Sequence, residues 1–276
     1  MSRQKRLKFL ITAGPTREYI DTVRYLSNES SGKMGFALAA EAAACGHAVT
    51  LVHGPVALDV PQGVRAVPVV SAAEMMTACK QAWPKADILI KAAAVADYRP
   101  ASPSKTKLKK SREALTLSLE PTEDILSTLS AMRRPGQVVI GFALEDQNAR
   151  ENAEEKLRRK NLDAIVLNRP TALSADRSII EALIRDEGWR IPVAASKARL
   201  AELIVGLAES LAVKATYLGT AFVRGLKTEP DAQARSSRAS AGNPSSRVGL
   251  GSIPNSAAAP KATSPKSRAP KRRWLP

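Results

Sequence analysis

Four short segments of this chain carry groups that could handle an anionic substrate, and each stands next to an apolar run. The first is Ser27-Asn28-Glu29-Ser30-Ser31-Gly32-Lys33-Met34-Gly35. Hydroxyls, a flexible glycine and an ammonium group sit just ahead of an alanine-rich helix. Its N-terminal N–H groups add partial positive charge, and the whole makes an anion cradle. It is not a GxxxxGK[ST] phosphate loop, because the leading glycine is missing and Met34 stands where Ser or Thr would hold magnesium. An ordinary helix cap, with Gly35 packed closely on a sheet, explains the same residues. The second segment is Ala92-Ala93-Ala94-Val95-Ala96-Asp97-Tyr98-Arg99. Its small side chains let a planar group lie on backbone, and Asp97 supplies a carboxylate at the strand mouth; a lone aspartate there more commonly serves a turn.

The third segment, Lys105-Thr106-Lys107-Leu108-Lys109-Lys110, holds four lysines in six residues. Such a run is either solvated or closes over a polyanion. In the fourth, Gly141-Phe142-Ala143-Leu144-Glu145 ends a strand, and the next helix buries Ala149, Ala153 and Leu157. Lys156 and Lys160 share a neighbouring face near its end, where pairing with the helix C-terminus is the ordinary role. His47 and His53 flank one strand without carboxylate or thiolate company, which argues against metal ligation. The two cysteines, Cys45 and Cys79, are too few for a disulfide framework or a zinc cage.

These segments need a scaffold, and the apolar pattern supplies one. Strands are expected over 7–14, 48–54, 64–70, 87–95, 137–144 and 164–168, with helices over 33–45, 122–132, 146–160 and 196–211. Ser71 caps a further helix, with Glu74 three residues on completing a capping box. The run 87–95 is nearly unbroken in apolar character, as for a strand covered on both faces. Residues 178–185 and 189–192, joined at Glu187-Gly188, form a hairpin. The expected fold is α/β: a Rossmann-like, doubly wound, mostly parallel sheet with a small antiparallel hairpin addition. The first strand ends in Thr12-Ala13-Gly14-Pro15-Thr16-Arg17, which is not a GxGxxG turn.

At 276 residues and 29.5 kDa the chain has room for one domain with an appendage. No apolar run approaches the ~20 residues of a membrane-spanning helix, and the basic start leads into a strand with no signal region, so a cytoplasmic chain is expected. The net charge of +16 is unevenly spread. Residues 228–276 hold nine basic residues against two acidic, a net +7, leaving +9 for 1–227. That tail is rich in Ser, Ala, Pro and Arg with one aromatic residue, Trp274, and is expected to be disordered, with weak, salt-sensitive attraction to polyanions. The division is therefore a domain over 1–227 and a tail over 228–276.

Taken together, Ile11-Thr12-Ala13-Gly14-Pro15-Thr16-Arg17-Glu18, Val23-Arg24-Tyr25-Leu26-Ser27-Asn28, Ser30-Ser31-Gly32-Lys33-Met34-Gly35, Ala93-Ala94-Val95-Ala96-Asp97-Tyr98-Arg99, Lys107-Leu108-Lys109-Lys110, Gly141-Phe142-Ala143 and Lys156-Leu157-Arg158-Arg159-Lys160-Asn161 resemble phosphopantothenate-cysteine ligase. That is the synthetase half of the bifunctional flavoprotein of bacterial coenzyme A biosynthesis. The likeness runs in family order over about 7–211. The decarboxylase half usually fused in front is not seen, so the resemblance implies a stand-alone ligase without flavin. It implies a two-step reaction: an acyl-nucleotide forms from 4′-phosphopantothenate and a nucleoside triphosphate, usually CTP with Mg2+, and cysteine then displaces the nucleotide. It carries a nucleotide site onto Asp97, Lys107, Phe142, Lys156 and Lys160, with backbone of Lys91, Ala92 and Ala93 and of Val139, Ile140 and Gly141 beside the base. Lys107, on a loop free to close, would meet the α-phosphate, and Lys156 and Lys160 the outer phosphates. Asn28 would hold the acyl group, with Ser31, Gly32 and Lys33 completing the phosphopantothenate site. Arg24 would make a dimer contact, with 16–32 as an interface arm. Magnesium would come through the triphosphate, with no protein metal site. Leu173-Ser174-Ala175-Asp176 departs from the family pattern, and the tail has no family counterpart.

Two other classes compete. A nicotinamide reductase suits the sheet, but the glycine fingerprint is absent and none of Tyr19, Tyr25, Tyr98 or Tyr217 has a lysine four residues on. A nucleic-acid-binding protein suits a pI near 10.1 and Lys271-Arg272-Arg273, which confines such activity to the tail.

Overall fold

A computed structural model describes residues 5–110, 112–168 and 176–225; the segment 173–175 and the tail 228–276 lie outside them. In chain order the elements are β1 (Lys8–Ala13), β2 (Arg17–Tyr19), β3 (Tyr25–Ser27), α1 (Lys33–Ala44), β4 (Ala48–His53), β5 (Val64–Pro68), α2 (Ala72–Ala82), β6 (Ile88–Lys91), β7 (Tyr98–Pro100) and β8 (Leu119–Pro121). They continue as α3 (Ile125–Ala131), β9 (Val138–Leu144), α4 (Ala149–Arg159), β10 (Ala164–Asn168), β11 (Arg177–Ile184), β12 (Gly188–Trp189), β13 (Val193–Ser196) and α5 (Lys197–Gly225). The main sheet runs β12-β11-β10-β9-β6-β1-β4-β5, with β13 also on β11. Its pairs from β5 to β10 are parallel, and those of β11 with β10, β12 and β13 antiparallel. The expected mostly parallel α/β sheet is what forms.

The period of two along the central strands sorts their side chains into two cores. Phe9, Ile11, Ile88, Ile90, Val138 and Ile140 face α1 and α5, packing on Phe36, Leu38, Leu200 and Ile204. Leu10, Leu89 and Val139 face the other way, onto Met75 and Cys79 of α2, Leu129 of α3 and Leu157 of α4. With helices on both faces the strands have no wet side, which is why their sequences read as unbroken apolar runs.

From β1 the chain moves outward through β4 and β5, then returns to β6 on the other flank and continues to β9 and β10. This reversal opens a crevice outside the C-terminal ends of β1 and β6, where open α/β sheets bind ligands.

Several boundaries differ from the sequence expectation. The strand expected over 87–95 ends at Lys91, because the next residues leave the ladder to bond with the loop after β1. The helix expected from 122 begins at Ile125, since Thr122 gives its N–H and hydroxyl to the carbonyls of Asp97 and Ala96 (2.9 and 2.6 Å) and Asp124 takes the cap. The helix expected from 146 starts after Asn148, which is left-handed at φ 47°. The last helix continues past 211 to Gly225, with Ala212 still buried on its inner face. Ser71 caps α2 through the N–H of Glu74 (3.2 Å), but the Glu74 carboxylate binds the N–H of Val70 (2.8 Å), one residue before the usual partner in a capping box. Two hairpins, β2–β3 and β7–β8, and the strand β13 are additional to the expected elements. Among the described residues no helix is long and apolar enough to cross a membrane.

Gly35 fixes how closely α1 approaches β1. A Cβ there would lie 2.4 Å from Ala13 Cβ and 3.1 Å from the carbonyl oxygen of Thr12. Gly35→Ala gains about 1 kcal/mol of helix propensity but forces the helix off the sheet, so a net destabilisation of about 1–3 kcal/mol is expected in urea denaturation.

Candidate active site

The crevice is built from two backbone segments sewn side by side. The N–H of Ala92 bonds to the carbonyl of Thr12 (3.2 Å), and that of Ala93 to the Thr12 hydroxyl (3.2 Å). The N–H of Ala94 reaches Gly14 (2.9 Å), and that of Ala96 the Thr16 hydroxyl (3.0 Å). Thr12 and Thr16 are fully buried, so their hydroxyls serve as internal splints. Pro15, which has no N–H to donate, sits in this seam bridged to Ala94.

On one side lies the segment before α1. Asn28 donates its side-chain amide to the carbonyl of Ala94 (3.1 Å), which ties it to the crevice wall. Gly32 is the helix N-cap at φ 74°, and no side chain caps the helix. The ordinary cap is therefore not what these residues build, whereas the close packing of Gly35 is. Gly14, also left-handed at φ 73°, faces Gly32 across a gap that a Cβ on Gly32 would narrow to 3.4 Å from Gly14 Cα. Only glycine meets both demands here, positive φ and close approach. Ser31 is half-buried beside this turn. Lys33 forms an ion pair with the exposed Asp176 (2.6 Å), and that bond holds the aspartate below its usual value.

On the other side three ammonium groups converge. Lys91 ends β6, and its Nζ donates to the carbonyl of Ala93 (2.9 Å). Burial, then the charges of Lys156 and Lys160, push its pKa down from 10.5 to about 8, against a partial pull from Asp124 and Asp97. Lys156 donates to the carbonyl of Phe142 (2.8 Å) and is also lowered, by burial and by Lys160. Lys160, only 12% exposed, pairs with Asp124 (2.6 Å). Burial works to raise Asp124, but Lys160 and the Ser127 N–H outweigh it and hold the carboxyl at about 2. Lys156 and Lys160 thus reach across to β9 and α3. The ordinary role, pairing with their own helix end, is not the one they take.

Two groups in this cluster were not legible as such. Lys91 was expected to contribute backbone, yet its side chain joins the cluster, with its pKa pushed down to about 8. A lone lysine closing the apolar run Ile88-Leu89-Ile90 was the available signal. Asp124 gave none. Asp97 is exposed, and its charge is felt by Lys91 and Lys156. The backbone of Val139 and Ile140 is expected beside the base. Both are fully buried within β9, and Asp163 occupies the N–H and carbonyl of Val139 (2.7 and 2.9 Å). Gly141 is buried too, and Phe142 is the first residue of the strand with exposed surface.

Lys107 is exposed, and the segment around it, expected to be a loop free to close, is hydrogen-bonded to the turn between β2 and β3. Ser104 donates its N–H to Ile20 (2.8 Å), and Leu108 donates its own to Asp21 (3.1 Å). Arg24 completes the attachment through the Leu108 carbonyl.

Residues 4–211 match the family described as DNA/pantothenate metabolism flavoprotein C-terminal domain. The chain belongs to that family. The Bacillus subtilis (strain 168) coenzyme A biosynthesis bifunctional protein CoaBC is 44% identical over 182 residues, which make up 64% of this chain and 45% of that protein. A protein named cysteine/cysteine sulfinic acid decarboxylase, from an unknown prokaryotic organism, is 50% identical over 162 residues, 58% of this chain and 45% of that one. The chain thus spans about half the length of these curated relatives. A crystal structure of the C-terminal domain of coenzyme A biosynthesis bifunctional protein CoaBC shares 40% identity and a TM-score of 0.65, covering 76% of this chain and 97% of that domain. The cluster and the seam both lie within the residues that match the family, 4–211.

Three half-buried cations against one ion-paired and one exposed carboxylate leave surplus positive charge that an anion would relieve. At pH 7 Lys91 lies below its folded pKa and is charged, a state that folding opposes, so its protonation lowers stability. Lys91→Met should therefore raise the melting temperature by about 2–4 °C while weakening the binding of a polyanionic probe, inorganic tripolyphosphate, by about 10-fold or more. Calorimetric melting and fluorescence titration measure the two.

Proposed function

We propose that this chain is a phosphopantothenate-cysteine ligase acting in coenzyme A biosynthesis. The observation that carries the reading is the half-buried Lys91, Lys156 and Lys160 cluster beside the seam that holds Asn28. The coenzyme A names of the relatives agree with it. In the first step a carboxylate oxygen of 4′-phosphopantothenate attacks the α-phosphorus of a nucleoside triphosphate, by this reading CTP, and pyrophosphate leaves. In the second the amine of cysteine attacks the acyl carbon and the nucleoside monophosphate leaves, a proton departing from nitrogen.

A carboxylate approaching a triphosphate joins two anions, so positive charge must already be in place. Lys156 and Lys160 meet the outer phosphates, Lys91 adds its charge from beneath, and Lys107 serves the α-phosphate. Magnesium enters as part of the metal–nucleotide substrate. Asn28, oriented by Ala94, holds the acyl group, with Ser31, Gly32 and Lys33 next to it. Phosphopantothenate would draw Lys33 from Asp176, an exchange of one anion for another.

The two hairpins support the reading of a homodimer. Tyr19, Val23 and Tyr25 on the first, and Tyr98 and Leu119 on the second, are exposed large apolar residues on neighbouring elements. A cytoplasmic location accords with the proposed substrates. The ligase is assigned to 1–227, with 228–276 as a tail capable of weak polyanion binding.

Incubation with 4′-phosphopantothenate, cysteine, magnesium and each triphosphate in turn, followed by mass detection, tests the reaction. A chain ending at Lys227 should form phosphopantothenoylcysteine at the full chain's rate, fastest with CTP; no product with any triphosphate would overturn the reading. Asn28→Ala should bind nucleotide normally but accumulate acyl-nucleotide in rapid-quench experiments, because the change falls on the acyl group and not on the phosphates.

A further inference from the structure

We propose that Asp21 is a positioning residue that sets the place of Lys107, by clamping the backbone of the neighbouring Leu108 to the turn between β2 and β3. The proposal rests on the reading of Lys107 as the α-phosphate lysine. Asp21 is 1% exposed, although it lies in a surface turn. One carboxylate oxygen, Oδ1, accepts from the N–H groups of Val23 and Arg24 (2.8 Å each). These two bonds are what a turn asks of an aspartate or asparagine. The other oxygen, Oδ2, accepts from the N–H of Leu108 (3.1 Å), across 87 residues of chain. Closing the turn does not need that bond.

Arg24 repeats the arrangement from the other side. Its Nε lies 3.5 Å from Asp21 Oδ2, and its Nη2 donates to the carbonyl of Leu108. Both backbone polar groups of the residue after Lys107 are thereby held by one acid–base pair. At the other end of the segment the N–H of Ser104 binds Ile20, in the same turn (2.8 Å). Lys107 thus lies between two anchors four residues apart. Burial alone would raise the Asp21 carboxyl, but the N–H groups of Arg24, Val23 and Leu108 and the Arg24 charge hold it below its usual value, so the clamp is ionised at neutral pH.

The consequence is entropic. A lysine on a free loop must be placed at each turnover, whereas one with fixed backbone has only its side chain to order. The segment expected to be a loop free to close carries a hydrogen bond at each end, Ser104 with Ile20 and Leu108 with Asp21.

Asp21→Asn isolates the crossing bond. The amide oxygen can keep both turn contacts, but its nitrogen presents a donor to the Leu108 N–H. We expect kcat for acyl-nucleotide formation to fall by about 10- to 50-fold with the triphosphate KM changed less than about 3-fold. In a Lys107→Gln background the same change should cost less than about 2-fold. Exchange of the Leu108 amide should accelerate by about 10-fold or more while melting stays nearly unchanged. Equal losses in both backgrounds, or wild-type exchange at Leu108, would overturn the clamp. Should Asp21→Asn fail to fold, Arg24→Met, checked for oligomeric state, must show the same dependence on Lys107 or the proposal falls. Absence of product from the wild-type chain would strike the ligase reading alone, and Leu108 exchange would then decide the clamp.

Discussion

Three half-buried ammonium groups held close together set like charges against one another, and several elements of the fold converge to keep them there. Lys91 is placed by the end of a buried strand, Lys156 and Lys160 by one face of α4, and Asp124 by the cap of α3. Each tether is a single polar bond to a neighbouring element: the Ala93 carbonyl, the Phe142 carbonyl and the Asp124 carboxylate. Those bonds offset part of the desolvation but leave like charges facing one another. A polyanion that enters the crevice relieves the repulsion and gains contacts already directed at it, which is electrostatic preorganisation in its simplest form.

The crevice exists because the sheet reverses its order between β1 and β6, and its shape depends on small residues at that reversal. Gly14 and Gly32 allow the two loops to meet with positive φ, and Gly35 lets α1 bring its uncapped N-terminus down onto Ala13. Thr12 and Thr16 replace the ladder bonds lost where β6 ends, so the segment 92–96 is rigid without being a strand. The hairpin turn at Asp21 then extends order outward to the lysine segment. Packing, seam and clamp form one sequence of constraints running from the core to Lys107.

The scaffold was legible because a sheet covered on both faces leaves a clear mark: Ile88-Leu89-Ile90 and Val138-Val139-Ile140 can hardly be anything but central strands. The strand Ala164–Asn168 has the bounds its apolar run Ala164-Ile165-Val166-Leu167 leads one to expect, ending on the polar Asn168. The hairpins were not legible, since strands of three residues with mostly exposed side chains carry no period to read. The site divided along the same line. Asn28 and the lysines stood out by residue type, whereas what each one touches depends on contacts such as Lys160 with Asp124 or Leu108 with Asp21, between residues far apart in the chain.

The charge state of Lys91 tests the central claim most directly. In protein carrying nitrogen-15 lysine, a pH titration followed by NMR should give Lys91 a pKa of about 8 in the free protein, against the ordinary 10.5. Saturation with magnesium–CTP should return it to 10.5 or above, because the phosphates favour the charged form. A free-protein value near 10.5, or one near 8 that does not move when nucleotide is bound, would contradict the account.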